Sequence, residues 1–231
     1  MVEAGAFRPP KREAGEFAKN QPEAAPGRSF LPLENPVSVI LFIIIAYLIG
    51  AIPCGIVLTR LFGKEDIRQA GSGNIGATNV YRVAGRGLGI ATLVGDALKG
   101  VLPTLFAAQA TGFSPAQVAL IAAATFLGHL YPIYLGFKGG KGVATALGIF
   151  LVLSPKAVLV AFAVFALVLW KWRYISLGSI SAAAAIPWLV LLFEGSVWFF
   201  GAALFIAAMV IVRHRANIER LRHGNENTFN F

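Results

Sequence analysis

The stretch VATALGIFLVLSPKAVLVAFAVFALVLW, residues 143–170, decides how this chain folds. It contains two apolar runs that are separated only by Ser154-Pro155-Lys156. Further runs of about 20 apolar residues, the length that crosses a bilayer as a helix, recur along the chain. If the interruption is a kink, the chain has six membrane spans. If it is a turn, the chain has seven, and the two alternatives place the loops on different sides of the membrane.

The composition indicates a polytopic α-helical membrane protein. Of the 231 residues, 57% are hydrophobic and 13% are charged, and the mean hydropathy is +0.70. A soluble domain has about 25% charged residues, so this chain cannot cover a globular surface with charge. The net charge of +9 fits basic cytoplasmic loops and anionic substrates, and the sequence has no nucleic-acid-binding motif. The single cysteine, Cys54, excludes a disulfide framework and a cysteine metal site.

Three regions follow from the pattern of polarity. Residues 1–36 are rich in Pro, Ala and Glu and lack the apolar core of a signal peptide, so we expect a disordered N-terminal tail. Residues 37–226 form the membrane domain, and residues 227–231 form a short C-terminal tail. Besides the two halves of residues 143–170, spans are predicted at Val37–Leu61, Leu88–Gln109, Val118–Tyr134, Ile175–Phe193 and Val197–Val212.

The distribution of positive charge favours seven spans. Cytoplasmic loops carry the excess of Lys and Arg in membrane proteins. Six spans would divide the charges of the membrane domain nearly evenly, whereas seven leave Lys156 alone on the outer face. The cytoplasmic face then holds Arg60, Lys64, Arg68, Arg82, Arg86, Lys138, Lys141, Lys171, Arg173, Arg213, Arg215, Arg220 and Arg222.

The sequence therefore predicts an all-α polytopic membrane protein with seven transmembrane helices, the N-terminus outside and the C-terminus cytoplasmic. The fourth segment, about Val143–Leu153, has only 11 residues, fewer than the roughly 17 that a span requires. We expect it to begin inside the preceding loop, to be tilted, or to lie where the bilayer is thinned.

Two glycine clusters lie in loops on the predicted cytoplasmic face. Residues 71–79 read GSGNIGATN, and residues 137–145 read FKGGKGVAT. Glycine allows backbone N–H groups to approach a ligand and to form an anion nest, so we expect phosphate binding. The first cluster matches the dinucleotide fingerprint but has no preceding strand, and the second lacks the spacing and the Ser or Thr of a P-loop.

Polar residues in and near the spans suggest further roles. His214 and Asn217 are three residues apart and share a face if the last span continues as a helix. Asp96 and Lys99 are predicted to form an ion pair, since an unpaired charge inside a membrane is costly. His129 is expected to shape the end of the third span.

A catalytic pair is also conceivable from these residue types. Ser72 and His214 could act as nucleophile and base, although the sequence shows no group that would orient the histidine. The residues alone therefore predict a cytoplasmic, cationic, glycine-lined pocket for phosphate groups, which an acyl chain would reach from the bilayer.

Three stretches resemble the signature regions of the bacterial acyl-phosphate-dependent glycerol-3-phosphate acyltransferases, the PlsY family. They are GSGNIGATNVYR at 71–82, GHLYPIYLGFKGGKGVAT at 128–145 and RHRANIERLRHGNE at 213–226. The resemblance covers about residues 37–226. It implies seven spans in the cytoplasmic (inner) membrane and transfer of a fatty acyl group from acyl phosphate to the 1-hydroxyl of glycerol 3-phosphate, giving lysophosphatidic acid and phosphate. It also suggests transient contacts with the soluble enzyme that makes acyl phosphate and with the second acyltransferase.

The resemblance also implies a set of site residues. It assigns catalytic roles to Ser72, Arg82, Lys141, His214 and Asn217, and it implies that a phosphate oxygen of the donor accepts the proton in place of a conventional base. We expect neither a cofactor nor a metal, because the sequence shows no clustered carboxylates or His and Cys ligands. Phosphate and substrate contacts are expected at Gly73, Asn74, Gly76, Ala77, Thr78, Asn79, Lys138, Gly139, Gly140 and Gly142.

Two other functions remain open at the level of sequence. His214 and Glu219 have the His-x4-acid spacing of a different acyltransferase class, with Glu where Asp is expected. A transporter of phosphate or organic anions would bind its substrate near the bilayer midplane, but the glycine motifs lie in loops and no inverted repeat is visible.

Overall fold

A computed structural model of the protein describes residues 35–110 and 112–229. The predicted N-terminal tail lies outside the described residues except for Asn35 and Pro36. The described residues form α-helices and one 3₁₀ turn, Ile133–Leu135, without a β-strand, and the all-helical prediction is confirmed. The helices are α1 Pro36–Gly50, α2 Cys54–Leu61, α3 Ala77–Ala84, α4 Arg86–Gln109, α5 Pro115–Leu130, α6 Val143–Leu153, α7 Pro155–Trp172, α8 Ile175–Glu194, α9 Val197–Arg213 and α10 Arg215–Arg222.

Helix length and composition identify the segments that can cross a membrane. Four segments are each long and apolar enough to do so: α4, α5 together with the 3₁₀ turn that follows it (Pro115–Leu135), α7 and α8. The pair α1 and α2, bent by 44°, and the pair α9 and α10, bent by 55°, are long and apolar enough when each pair is taken together. The short apolar helix α6 adds a seventh candidate segment within the described part of the chain.

Ser154 divides the stretch 143–170 into two separate helices. α6 ends at Leu153, and Pro155 takes the first position of α7, where its missing N–H costs no hydrogen bond. The Ser154 hydroxyl donates to Oε1 of Glu194, at the end of α8, over 2.7 Å. α6 and α7 line the same cleft, so α7 lies beside α6 instead of continuing it. The seven-span topology requires this arrangement.

The first predicted span, Val37–Leu61, consists of two helices, α1 and α2, with a bend of 44° between them. α1 ends at Gly50, and Pro53, which has no N–H group to donate, directly precedes α2. Lys99 of α4 stabilises the break, because its Nζ donates to the carbonyl of Ile52 over 2.7 Å.

The predicted ion pair inside α4 is confirmed. Nζ of Lys99 lies 2.8 Å from Oδ1 of Asp96, and both side chains are buried. A buried charge needs a partner of opposite sign to offset its desolvation. The pair therefore lets Lys99 reach the break between α1 and α2 without leaving an uncompensated charge in the protein interior.

The loop between the first two spans contains a helix that the sequence interpretation missed. Residues 77–84 of this predicted polar loop form α3, which packs against α4. Its buried face joins a small apolar cluster of Ile56, Ile67, Ile75 and Val80. This cluster packs α3 and the preceding loop segment against α2, and so fixes the backbone conformation of the glycine motif.

Close helix contacts hold α6 against α4. A side chain at Gly100 would collide with the backbone of Thr145, and one at Gly148 would collide with the backbone of Ala97. Small residues allow membrane helices to approach this closely. The N-terminal end of α6, which directly follows Gly142, is thereby fixed next to α4.

Candidate active site

A cavity of about 110 Å³ lies where the three motif regions meet. Loop 72–76 and α3 form one wall, residues 141–144 a second, and the start of α8 with the α9–α10 junction a third. All five predicted catalytic residues line it, and so do six of the predicted binding residues. Together these are Ser72, Arg82, Lys141, His214 and Asn217 with Asn74, Gly76, Ala77, Thr78, Asn79 and Gly142.

The N-terminus of α3 supplies backbone donors to this cavity. Gly76 is the N-cap residue, and its own N–H donates to Oδ1 of Asn74 over 2.9 Å. The N–H groups of the first helical residues, Ala77 and Thr78, have no acceptor within the helix, and both residues line the cavity. Arg82 follows Thr78 by four residues and shares its helix face. Backbone donors, the helix dipole and a guanidinium thus favour an anion at one place.

Asn79 holds the first glycine loop in place. Its buried side chain accepts at Oδ1 from the Ser72 N–H over 2.8 Å. Its Nδ2 donates to the carbonyls of Ile67 and Ala70 over 2.9 and 3.2 Å. Gly71 has φ +62°, and a side chain there would collide with Asn79. Asn79 was predicted to contact substrate, and the structure gives its side chain a role within the loop, where it positions Ser72.

A chain of hydrogen bonds links the second loop to the C-terminal segment. Nζ of Lys141 donates to Oδ1 of Asn217 over 2.5 Å, and Nδ2 of Asn217 donates to Oε1 of Glu226 over 2.6 Å. Glu226 also accepts from the Ser176 hydroxyl over 2.8 Å and from Nε of Arg220 over 2.7 Å. Burial would raise the pKa of Glu226, but these three hydrogen bonds hold it below its ordinary value of 4.5. The ionised carboxylate therefore orients Asn217 and, through it, Lys141.

The cavity changes the protonation of its basic groups. Burial, together with nearby arginines and against the opposing charge of Glu226, lowers the pKa of Lys141 from 10.5 to about 8. Burial, together with Lys141, lowers the pKa of His214 from 6.5 to about 4. Nδ1 of His214 lies 2.8 Å from the carbonyl of Val210, so Nδ1 carries the proton. At neutral pH His214 is uncharged, and Nε2 remains available as an acceptor.

Four predicted binding residues lie outside the cavity lining. The side chain of Lys138 is exposed, and Gly73 is exposed in the first loop. Gly139 and Gly140 pack against the end of α5, where a side chain on either would collide with His129. The close approach of loop and helix accounts for these two glycines, and their predicted contact with phosphate stays a prediction.

Several lining residues were not predicted as site residues. Glu226, Ser176 and Arg220 were missed, because a polar tail and a helix start show no periodicity that would place their side chains together. The signal that could have found Glu226 is its position at the end of the third motif stretch. Asp96 and His129, predicted only as structural, also line the cavity, with Oδ1 and Nδ1 3.8 Å apart.

Glu219 does not form the catalytic pair with His214 that the His-x4-acid spacing allowed. Its side chain is 62% exposed and lies 3.4 Å from Nδ1 of His223. The last span does not continue straight into α10, since the two helices meet at His214 with a bend of 55°. Glu219 lies on the solvent side of α10, while His214 and Asn217 are buried and line the cavity.

The polar cavity opens into an apolar cleft. The cleft has a volume of about 240 Å³ and is formed by α4, α6, α7, α8 and α9. Four residues belong to both spaces: Leu93, Val143, Ala144 and Ser179. Alanines on several helices form much of the cleft wall. A molecule with an anionic head and an apolar chain could therefore occupy both spaces at once.

Comparison with known proteins gives the family. Residues 40–224 match the glycerol-3-phosphate acyltransferase family. The glycerol-3-phosphate acyltransferase of Syntrophotalea carbinolica is 65% identical over 189 residues, which cover 82% of this chain and 96% of that protein. The corresponding protein of Geotalea daltonii is 55% identical over 192 residues, covering 83% of this chain and 98% of that protein.

Solved structures agree with this assignment. The crystal structure of PlsY, an integral membrane glycerol 3-phosphate acyltransferase, in its glycerol 3-phosphate form is 41% identical, with a TM-score of 0.80, and the match covers 84% of this chain and 96% of that one. The lysophosphatidic acid form of PlsY has 40% identity and a TM-score of 0.78, with the same coverage of 84% and 96%. This chain therefore belongs to the glycerol-3-phosphate acyltransferase family and is an integral membrane protein of the PlsY type.

Proposed function

We propose that this acyltransferase moves a fatty acyl group from acyl phosphate to the 1-hydroxyl of sn-glycerol 3-phosphate. The products are lysophosphatidic acid and inorganic phosphate, in the first acylation of phospholipid synthesis. The proposal rests on one observation: a cationic polar cavity opens into an apolar cleft. Both substrates carry a phosphate, which can bind in the cationic cavity. The donor also carries an acyl chain, which can bind in the apolar cleft.

The donor occupies both spaces in this proposal. Its acyl chain lies in the cleft, and its phosphate lies at the N-terminus of α3, where the amides of Ala77 and Thr78 donate to it. Arg82 and Lys141 neutralise the charge of the two phosphates once the substrates have displaced water from the cavity. Fixed cations and dipoles of this kind stabilise charge that develops in the transition state.

The acceptor is oriented by the remaining polar groups of the cavity. Ser72, His214 and Asn217 hold glycerol 3-phosphate so that its 1-hydroxyl oxygen reaches the acyl carbon. The new ester bond forms as the bond between the acyl carbon and the phosphate oxygen breaks. The departing phosphate takes the hydroxyl proton, so atoms and charge balance without a separate base.

The two carboxylates in the cavity wall support this role of the donor. Asp96 is paired with Lys99 at 2.8 Å, and Glu226 accepts hydrogen bonds from Ser176, Asn217 and Arg220. The three donors hold the pKa of Glu226 below its ordinary value, which makes this carboxylate a poor proton acceptor. Neutral His214, with a pKa lowered to about 4, is likewise a weak base.

His214→Asn is expected to keep kcat within about tenfold and to raise the KM for glycerol 3-phosphate by about tenfold. The reason is that the variant loses a hydrogen bond worth about 0.5–1.5 kcal/mol and no base. Initial rates over a range of acceptor concentrations check this. His223→Asn, at a histidine whose side chain is 64% exposed, is the control and should leave both constants unchanged. Loss of turnover at saturating acceptor would show that His214 is the base.

Filling the cleft is expected to weaken donor binding alone. Ala161 lines the cleft, whereas Ala163 on the same helix is exposed and outside it. Ala161→Leu excludes about two methylenes of the acyl chain, each worth about 0.8 kcal/mol, so the KM for a long-chain acyl phosphate should rise about tenfold. The KM for glycerol 3-phosphate should not change. Equal effects of Ala161→Leu and the control Ala163→Leu would contradict a cleft-bound chain.

The proposed topology has seven spans, with the N-terminus outside and the active site and C-terminus on the cytoplasmic face. In a Cys54→Ala background, single cysteines at the exposed positions Lys138, Lys171 and Asn225 should react with an impermeant thiol reagent only from the cytoplasm. A cysteine at Lys156 should react only from outside. Labelling of the Asn225 position from outside would restore the six-span alternative.

A panel of acyl donors tests the proposed reaction. Purified protein with glycerol 3-phosphate should form lysophosphatidic acid from acyl phosphate and not from acyl-CoA or acyl carrier protein. The assay contains excess EDTA, because we expect Arg82 and Lys141 to supply the positive charge without a metal. Turnover that depends on acyl-CoA, or that Mg²⁺ must restore, would contradict the proposal. Uptake of glycerol 3-phosphate into vesicles without turnover would indicate a transporter.

A further inference from the structure

Arg213, the last residue of α9, binds the backbone of the second glycine loop. Its Nε donates to the carbonyl of Gly140 over 3.0 Å, and its Nη2 donates to the carbonyl of Gly139 over 2.6 Å. The guanidinium also lies 5.7 Å from the ring centroid of Tyr131, a distance at which a cation is attracted to an aromatic face. Arg213 is not among the residues that line the cavity, so it acts on the reaction only through the residues that do.

The opposite edge of the same loop is bound to the end of α5. The N–H of Gly139 donates to the carbonyl of Leu130 over 3.1 Å, and the N–H of Gly140 donates to the carbonyl of His129 over 3.2 Å. The last carbonyls of a helix have no partner within it, so they are free to accept these bonds. Residues 139 and 140 thus have their N–H groups fixed by α5 and their carbonyls fixed by Arg213.

The next residue along the chain is Lys141, which carries its charge into the cavity. A lysine side chain is flexible, and holding it in one geometry costs conformational entropy. Its Nζ reaches Oδ1 of Asn217, but its backbone position is set by the two fixed peptide units before it. Arg213 also directly precedes His214, so one residue fixes two neighbours in the cavity.

We propose that Arg213 is a positioning residue, which clamps the loop backbone so that Lys141 is held at the phosphate-binding position. The inference rests on the role proposed above for Lys141. It explains why an arginine suits this position: the planar guanidinium presents parallel donors to two consecutive carbonyls, whereas an ammonium is a point charge that cannot reproduce this fork.

The kinetic test compares Arg213→Gln and Arg213→Lys with Arg215→Gln, a substitution of an exposed arginine at the same junction. Displacing a binding group by about 1 Å can cost about 100-fold in rate. We expect kcat/KM to fall about 10- to 100-fold in Arg213→Gln and less in Arg213→Lys, with the control unchanged. Thermal unfolding of each purified variant shows whether it is folded. A folded Arg213→Gln with wild-type kcat/KM would overturn the proposal.

A second test measures the pKa of Lys141 itself and does not depend on enzymatic turnover. An amine-acylating reagent is applied across a range of pH from about 7 to about 11, and modification of Lys141 is measured by peptide mass spectrometry. Half-buried Lys141 should titrate near its lowered pKa of about 8 in the wild type. In Arg213→Lys, which keeps the positive charge, a released and hydrated loop should shift the midpoint towards 10.5.

The two tests separate this inference from the proposed function. An unchanged Lys141 midpoint in Arg213→Lys would overturn the positioning role, whatever the reaction is. Arg213→Gln does not serve here, because it also removes a charge that lowers the pKa of Lys141. If the wild type fails to transfer acyl groups from acyl phosphate but the midpoint still shifts, the proposed donor is wrong and the clamp stands.

Discussion

Replacing Arg82 with alanine is expected to lower kcat/KM by two to three powers of ten. Arg82 lies on α3 one turn after the free amides of Ala77 and Thr78 and lines the cavity. Its loss would leave phosphate charge uncompensated once the donor and acceptor have displaced water from the site. Arg82 is exposed before the substrates bind, and each hydrogen bond from its charged guanidinium to a phosphate contributes about 1.5–3 kcal/mol. The loss of two such bonds costs upwards of about 3 kcal/mol, and about 1.4 kcal/mol corresponds to tenfold in rate.

Two further variants test this explanation for Arg82. Arg82→Lys should recover only part of the loss, since a point charge cannot reproduce two parallel hydrogen bonds to a phosphate. Arg86→Ala removes an exposed arginine four residues further on, outside the cavity, and serves as the control. If Arg82→Ala and Arg86→Ala had the same kcat/KM, Arg82 would have no role in binding phosphate.

Lys141→Gln is expected to lower kcat/KM by about 10- to 100-fold. A hydrogen bond to a charged group contributes about 1.5–3 kcal/mol, and the substitution removes the charge that faces both Asn217 and a bound phosphate. It also leaves the negative charge of Glu226 less well balanced. Lys141→Arg keeps the charge with a different shape and should retain more activity. Wild-type kcat/KM in Lys141→Gln would contradict the assigned role.

The pH dependence of kcat/KM in the wild type is expected to follow the ionisation of Lys141. The pKa of Lys141 is lowered to about 8, so the amine loses its charge as the pH rises through this value. Because kcat/KM reports the free enzyme, it should fall about tenfold over roughly one pH unit above that pKa. A bound phosphate stabilises the charged amine, so the fall in kcat should begin at higher pH. In Lys141→Arg the fall in kcat/KM should disappear, once uncatalysed donor hydrolysis is subtracted at each pH.

Much of the fold could be predicted because its strongest signals are local. α6 has the bounds Val143–Leu153 that were predicted, since the Ser-Pro dipeptide both ends one helix and begins the next. The Asp96–Lys99 pair was predictable from the cost of a lone charge in a membrane. Both arguments need only neighbouring residues and the properties of the bilayer.

The features that were missed depend on contacts between distant segments. The break before α2 occurs at Pro53, but it is stable because Lys99, 47 positions after Ile52, binds the carbonyl of that residue. α3 is short and rich in polar residues, and it is folded by apolar contacts with Ile56 and Ile67. Neither partner can be identified by reading the local sequence.

In the candidate site, too, the residues with a local sequence signal were predicted and those that depend on distant contacts were missed. The motif residues that supply charge, Arg82 and Lys141, were predicted and lie together in the cavity. The groups that hold Lys141 were not predicted: Glu226 orients its partner Asn217 through a side-chain hydrogen bond, and Arg213 holds the loop before it. Such supporting residues act through backbone carbonyls and amide side chains, which leave no characteristic spacing in a sequence.

The stoichiometry of a single reaction mixture tests the central claim most directly. Purified wild-type protein receives acyl phosphate and glycerol 3-phosphate, and phosphate and lysophosphatidic acid are both quantified over time. We predict equal amounts of the two products, no phosphate release above the uncatalysed rate when glycerol 3-phosphate is omitted, and a strongly reduced rate of both in Arg82→Ala. Phosphate release that does not depend on glycerol 3-phosphate, or the absence of lysophosphatidic acid, would contradict the account.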